Sequence, residues 1–165
     1  MKITKLLFLL GLLLCVNSYA GDTKKVKFGS GIMAVEFPAY INMTSVTESG
    51  LVVLIDDEGT YKLELSRIDV GSDMPDGFGM YAVAKMAEKR GREVKKLGDR
   101  VLLQEPPVLG EEGKVEVLTT HLSIGLSKSI ITMTLTTPPN DVVPPSMAKR
   151  VTEVVNSAIT TVAEL

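Results

Sequence analysis

The chain has 165 residues, with 18 basic and 20 acidic side chains, one histidine, one cysteine and 45% hydrophobic residues. An acidic balance argues against a nucleic-acid partner, whose phosphates call for a surplus of Lys and Arg. One cysteine allows no internal disulfide and, with a single histidine, no zinc or copper cage built from several nitrogen and sulfur ligands.

The first twenty residues, MKITKLLFLLGLLLCVNSYA, place Lys2 and Lys5 ahead of an apolar run from Leu6 to Val16 and end in Ser18-Tyr19-Ala20. Small residues three before and one before a cut mark a secretory signal peptide, and the run is too short for a permanent membrane span. The expected mature chain starts at Gly21 and lies in the periplasm of a Gram-negative cell or is secreted. Cys15 follows an apolar run as a lipid-modified cysteine would, but Leu14 stands where that processing wants a small residue. Cleavage would remove Lys2 and Lys5 from the 18 basic residues and leave 16 against 20 acidic ones. Residues 21–165 are then read as a single domain, since a length near 150 buries about 68–70% of the unfolded surface and no low-complexity linker or repeat divides it.

From Lys24, Val26 and Phe28 alternate with lysines, and after Gly29-Ser30-Gly31 the positions Met33, Val35 and Phe37 alternate with Ala34 and Glu36. Pro38 ends that strand or sets it on an edge. Leu51 to Ile55 is a continuous apolar run, and Tyr61, Leu63 and Leu65 alternate with Lys62, Glu64 and Ser66, so two strands flank the acidic turn Asp56-Asp57-Glu58-Gly59. A Gly-, Asp- and Pro-rich loop over 71–79 precedes a helix from Phe78 to Arg90, on which Val83, Met86 and Ala87 share a face and Gly91 is the stop. Arg92 to Gly98 can extend that helix after a break. Val101 to Leu103 is a brief strand ended by Glu105-Pro106-Pro107.

The stretch KVEVLTTHLSIGLSKSIITMTLTTPP, Lys114 to Pro139, is the centre of the domain. Ile131, Met133 and Leu135 alternate with Thr132, Thr134 and Thr136, the period of a half-buried strand. Gly125-Leu126-Ser127-Lys128 supplies a turn, with Gly125 offered for positive φ, so the stretch is a long antiparallel hairpin. After Pro144-Pro145, the residues Met147, Val151, Val154, Val155, Ala158, Ile159, Val162 and Leu165 recur at three and four, with Lys149, Arg150, Glu153 and Asn156 on the wet side. Pro145 suits the first turn of that helix. Two helices and about seven mostly hairpin-linked strands give an α+β domain, an antiparallel β-sheet with helices packed on it.

Candidate chemistry is sparse. His121 lies inside a strand with no orienting partner legible beside it, and Ser146-Met147-Ala148-Lys149 matches Ser-x-x-Lys without the companion Ser-Asp-Asn and Lys-Thr-Gly motifs. The plain reading makes Ser146 a helix-start residue and Lys149 a solvated charge. Gly29, Gly31, Ala34 and Gly77, Gly79, Ala82 both fit G-x-G-x-x-A; the first leads into a strand and the second opens a helix, but hairpins replace the βαβ units that a dinucleotide fold needs. Asp56, Asp57 and Glu58, and Asp69, Asp73 and Asp76, are carboxylate groups without the ligand spacing of a calcium loop. Lys85, Lys89, Arg90, Arg92, Lys95, Lys96 and Arg100 concentrate positive charge on an acidic chain. Such a run is usually a solvated face; here its first six members are the candidate contact surface for an acidic partner or anionic headgroups.

A strand ending in Phe37-Pro38, a hairpin, a helix, then Arg92 to Leu103, long strands from Gly113 to Pro139 closing in Thr-Thr-Pro-Pro-Asn-Asp, and a C-terminal helix form an order that resembles the DcrB-like family of bacterial envelope proteins, related in fold to PsbP-like domains. The resemblance covers about Lys24 to Ala163 and implies an exported, α/β/α-layered domain without agreed catalytic residues. Together these readings point to a protein that needs no cofactor and acts by contact with another envelope or secreted protein, an inhibitor or immunity protein of a periplasmic toxin and an envelope accessory protein being two forms of this. Two rival classes remain, a carrier of lipid or another apolar ligand held between sheet and helix, and a small hydrolase using Ser146 or His121.

Overall fold

The computed structural model describes residues 21–41, 44–68, 70–71, 73–113, 115–139 and 143–165. The expected signal peptide, with Cys15 and the cut after Ala20, lies outside these residues, as does Asp69. Eleven strands and two helices occur among them: β1 (Thr23–Phe28), β2 (Met33–Pro38), β3 (Thr44–Val46), β4 (Gly50–Leu54), β5 (Lys62–Ile68), α1 (Phe78–Lys89), β6 (Lys95–Leu97), β7 (Arg100–Gln104), β8 (Val108–Glu112), β9 (Val115–Gly125), β10 (Ile130–Thr137), α2 (Pro145–Thr161) and β11 (Ala163–Glu164).

The long hairpin β9–β10 is the middle of an antiparallel sheet ordered β3-β4-β5-β10-β9-β7-β6, with β8 pairing β9 beyond β7. Its alternation sorts the side chains as the sequence predicts: Ile131, Met133 and Leu135 are buried on one face with Leu122 and Ile124 of β9 and Leu63 and Leu65 of β5. On that face lie Val151, Val154, Val155, Ala158 and Ile159 of α2, together with Phe28, Met33, Val35 and Phe37 from a second, three-stranded sheet, β1-β2-β11. The opposite face takes α1, whose Val83 and Ala87 pack with Val101, Leu103 and Ile130. Helix, sheet, then helix with small sheet are three layers, an α+β fold.

Several local readings are corrected by tertiary contacts. Arg92 to Gly98 does not prolong α1: Gly91 turns the chain at φ +61°, and Lys95–Leu97 pairs with β7 as a strand. The strand total exceeds seven because β3, β6, β8 and β11 are short pieces with little pattern of their own. The C-terminal stripe ends earlier than expected, since α2 stops at Thr161 and Ala163–Glu164 joins β2, which leaves Leu165 60% exposed. β2 is consequently central in its sheet, and Pro38 sits at its end. Asn156, expected on the wet side, is buried, as is Ser157, whose hydroxyl donates to the carbonyl of Glu36 at 2.7 Å. The N-cap of α2 is Pro144 with no side-chain cap, so Ser146 is an exposed first-turn residue with no capping role.

Gln104 pairs with Leu122 and Val108 with Thr119, so three residues on one strand oppose two on the other. This is a bulge, made where Pro106 and Pro107 cannot donate to a ladder, and only the N–H of Glu105 reaches across, to the carbonyl of His121 at 2.9 Å. The extra residue inverts the alternation. Leu102 and Gln104 share the α2 face, whereas beyond the bulge Leu109 and Glu111 lie there.

Candidate functional site

The basic segment splits into structural and surface parts. Arg100, only 11% exposed at its side chain, donates from Nη1 to the carbonyls of Ile159 at 2.7 Å and Val162 at 3.1 Å, where the negative end of α2 favours a cation. Arg90 and Arg92 both reach Glu105, and Lys85 pairs with Glu88 at 2.6 Å on the surface of α1. The hydrogen bond between the last two raises the Lys85 amine and lowers the Glu88 carboxyl from their ordinary ranges. Lys89, Lys95 and Lys96 are exposed, the last two on the edge strand β6. Much of the positive charge is therefore answered within the chain by Glu88, Glu105 and Asp99.

His121 and Ser146 are not brought together. His121 alternates with the core-facing Leu122 and so points away from α2, which carries Ser146 on the other side of the sheet. Register places Thr134 opposite His121 and Glu64 opposite Thr134, and the His121 Nδ1 lies 3.1 Å from the Thr134 hydroxyl. Lys149 pairs with Glu153 at 3.9 Å.

The glycine motifs have structural explanations. Gly29, at φ +57°, and Gly31, at φ +83°, make the turn between antiparallel β1 and β2. Gly77, at φ +85°, precedes α1, and the N–H groups of Gly79 and Met80 donate to the carbonyls of Ser127 at 3.2 Å and Leu126 at 3.0 Å. The donors that would cradle a phosphate at that helix start are taken by the β9–β10 turn. Gly125 is not at positive φ; it is needed because its bare Cα lets α1 approach. Of the carboxylate groups, Asp56 accepts the Tyr61 N–H at 2.9 Å and Asp76 pairs with Lys128 at 3.4 Å, and no cluster suited to a metal occurs among the described residues.

A small apolar cavity of about 30 Å3 lies between α2 and the sheet, lined by Gln104, Thr120, Leu122, Met133, Leu135 and Val155 among others. Along the same sheet face, past the bulge, β9 and β8 run on to Leu118 and Leu109. Leu109 is 60% exposed there, and Val108 and Val115, on the opposite face of the same hairpin, are 57% and 66% exposed. That hairpin is tied to β5 by Lys62, whose amine lies 2.7 Å from Glu112 and 3.2 Å from Glu64. The hydrogen bond to Glu112 is the main cause that holds the Lys62 ammonium above the ordinary lysine range, against a lowering by burial. Sequence reading missed this hairpin because β8, VLGEE, has neither period-2 alternation nor length.

No protein-family model matches the chain, and no curated protein matches it. Among solved structures, a protein of Bacteroides thetaiotaomicron VPI-5482, with a crystal structure at 1.50 Å, aligns over 89% of this chain with a TM-score of 0.60 and 15% identity. The alignment takes in 49% of that protein, so this chain spans about half its length. The likeness is one of fold. The solution structure of cyanobacterial PsbP (CyanoP) from Synechocystis sp. PCC 6803 aligns over 92% of this chain and 97% of that one, with a TM-score of 0.37 and 11% identity. No helix among the described residues is long and apolar enough to cross a membrane.

Proposed function

We propose that this is an exported, non-enzymatic protein of the bacterial envelope that acts by contact with another envelope or secreted protein, as an inhibitor or immunity protein of a periplasmic toxin does. The observation that carries this reading is the β8–β9 hairpin, which leaves Leu109 exposed on one face and Val108 and Val115 exposed on the other. Large apolar side chains left in solvent beside charged ones on a protruding sheet edge are a feature of contact surfaces. Kinship with the DcrB-like family is part of the proposal, supported by the order of elements. The periplasmic location rests on the signal-peptide pattern of residues 1–20.

The apolar-carrier reading has the cavity under α2 in its favour, but about 30 Å3 is small beside the roughly 150 Å3 of a cavity that takes one benzene ring, and a lipid chain would have to part helix from sheet. Contact requires no such opening. A pull-down from envelope extract tests the proposal with wild type, with Lys89→Glu, Arg92→Glu and Lys96→Glu combined, and with Ser146→Ala and His121→Ala combined. Specific, saturable capture of a partner by wild type and by the Ser/His variant is expected. Loss of biological function in the Ser/His variant, with fold and capture intact, would overturn the reading in favour of a hydrolase.

A further inference from the structure

β8 and β6 are both sheet edges, and they differ in chemistry. β6 carries Lys95 and Lys96, the like-charged lysines that blunt an edge against pairing. β8 is exposed at all five residues and keeps Val108 and Leu109 in solvent; among the described residues its backbone pairs with β9 alone. The bulge register sets Glu111 directly opposite Glu116. Like charges in such a pair repel, and neither carboxylate has an ion pair with a described residue, whereas Glu112 is held by Lys62. Leu109 and Leu118 are neighbours of that acidic pair on the same face, while Val108, Glu112 and Val115 occupy the other.

We propose that the open edge of β8 receives an extended segment of a partner protein, in which lysine or arginine alternates with aliphatic residues, as an added strand. The rule of alternation makes this chemistry specific. Cations on one side of such a strand would meet Glu111, with Glu116 one strand further in, and lay their alkyl stems over Leu109, and aliphatic residues on its other side would cover Val108. Main-chain hydrogen bonds to the edge supply the affinity that is independent of sequence. This inference rests on the contact reading above and names its surface and partner chemistry.

The test uses the exported protein and a fluorescein-labelled peptide of alternating lysine and valine, followed by anisotropy. Controls are a glutamate–valine peptide and the lysine–valine peptide with alternate backbone amides N-methylated. Saturable binding of the lysine–valine peptide alone is expected, weakened at least about tenfold by Glu111→Lys, which also turns the cross-strand repulsion into an attraction and so leaves the thermal midpoint unchanged or higher. Glu111→Gln, a milder change, should weaken binding less. Equal binding of the N-methylated peptide would overturn strand addition, and absence of binding to the folded wild type would overturn the site. A reversible dimer abolished by Glu111→Lys in sedimentation would make the occupant a second copy and overturn the partner assignment. If the pull-down partner is captured equally by wild type and Glu111→Lys, the edge proposal falls while the contact reading stands; if none is captured, the contact reading itself falls.

Discussion

Gly79 and Gly125 meet backbone to backbone. A Cβ on Gly125 would overlap the Gly79 carbonyl oxygen and lie 2.8 Å from its carbonyl carbon, and one on Gly79 would overlap the carbonyl oxygens of Leu126 and Ser129. The contact docks the first turn of α1 onto the β9–β10 turn, whose carbonyls take that turn's N–H groups. Because the obstructing atoms are main chain, no rotamer change relieves a substitution. Gly79→Ala and Gly125→Ala should each cost about 1–3 kcal/mol or more, in the range of overpacking. Urea unfolding checks this; a Gly125→Ala midpoint equal to wild type would show that α1 can shift freely on the sheet.

Arg100 belongs with the core, despite lying in the basic segment. Its bonds to the Ile159 and Val162 carbonyls close the end of α2, and hydrogen bonds to charged groups contribute about 1.5–3 kcal/mol. Arg100→Ala should therefore lower the thermal midpoint by several degrees, while Lys89→Ala, at an exposed position of α1, should leave it within the small range usual for surface changes. Equal midpoints for the two variants would remove Arg100 from the stability of α2.

Alkaline pH should destabilise the fold. Burial, and next the charge of Asp56, raise the Tyr61 phenol above the ordinary tyrosine range, and the bond to Glu112 raises Lys62. In both cases the folded state keeps a proton that the unfolded chain releases, so the contribution is complete below about pH 10 and is lost as pH climbs through the folded values. Unfolding midpoints should fall from about pH 10 upward. Tyr61→Phe should flatten that fall. A steep fall unchanged in Tyr61→Phe with Glu112→Gln would place the alkaline transition elsewhere.

Export should leave a chain that starts at Gly21. The Ser18-Tyr19-Ala20 pattern motivates this, and intact mass of the exported protein measures it. A diacylglycerol-modified species beginning at Cys15 would refute the cut and attach the protein to a membrane.

Elements whose signal is carried by neighbours in the chain were legible from sequence alone. The alternation of Ile131, Met133 and Leu135 and the three-and-four spacing of Val151, Val154, Val155, Ala158 and Ile159 each put one face in the core, because strand and helix geometry follow from local periodicity. Tertiary structure decided the rest. β11 is two residues long and exists because β2 offers an edge, Ser157 is buried where β2 closes over its side of α2 and takes its hydroxyl on the Glu36 carbonyl, and Arg100 became structural when β7 came beside the end of a helix some sixty residues later. The opposition of Glu111 to Glu116 depends on the one-residue shift at Glu105-Pro106-Pro107, and strand register is a property of the pair. Local chemistry thus specified which residues leave water, and pairing between distant segments specified which charges and apolar side chains remain together on the surface.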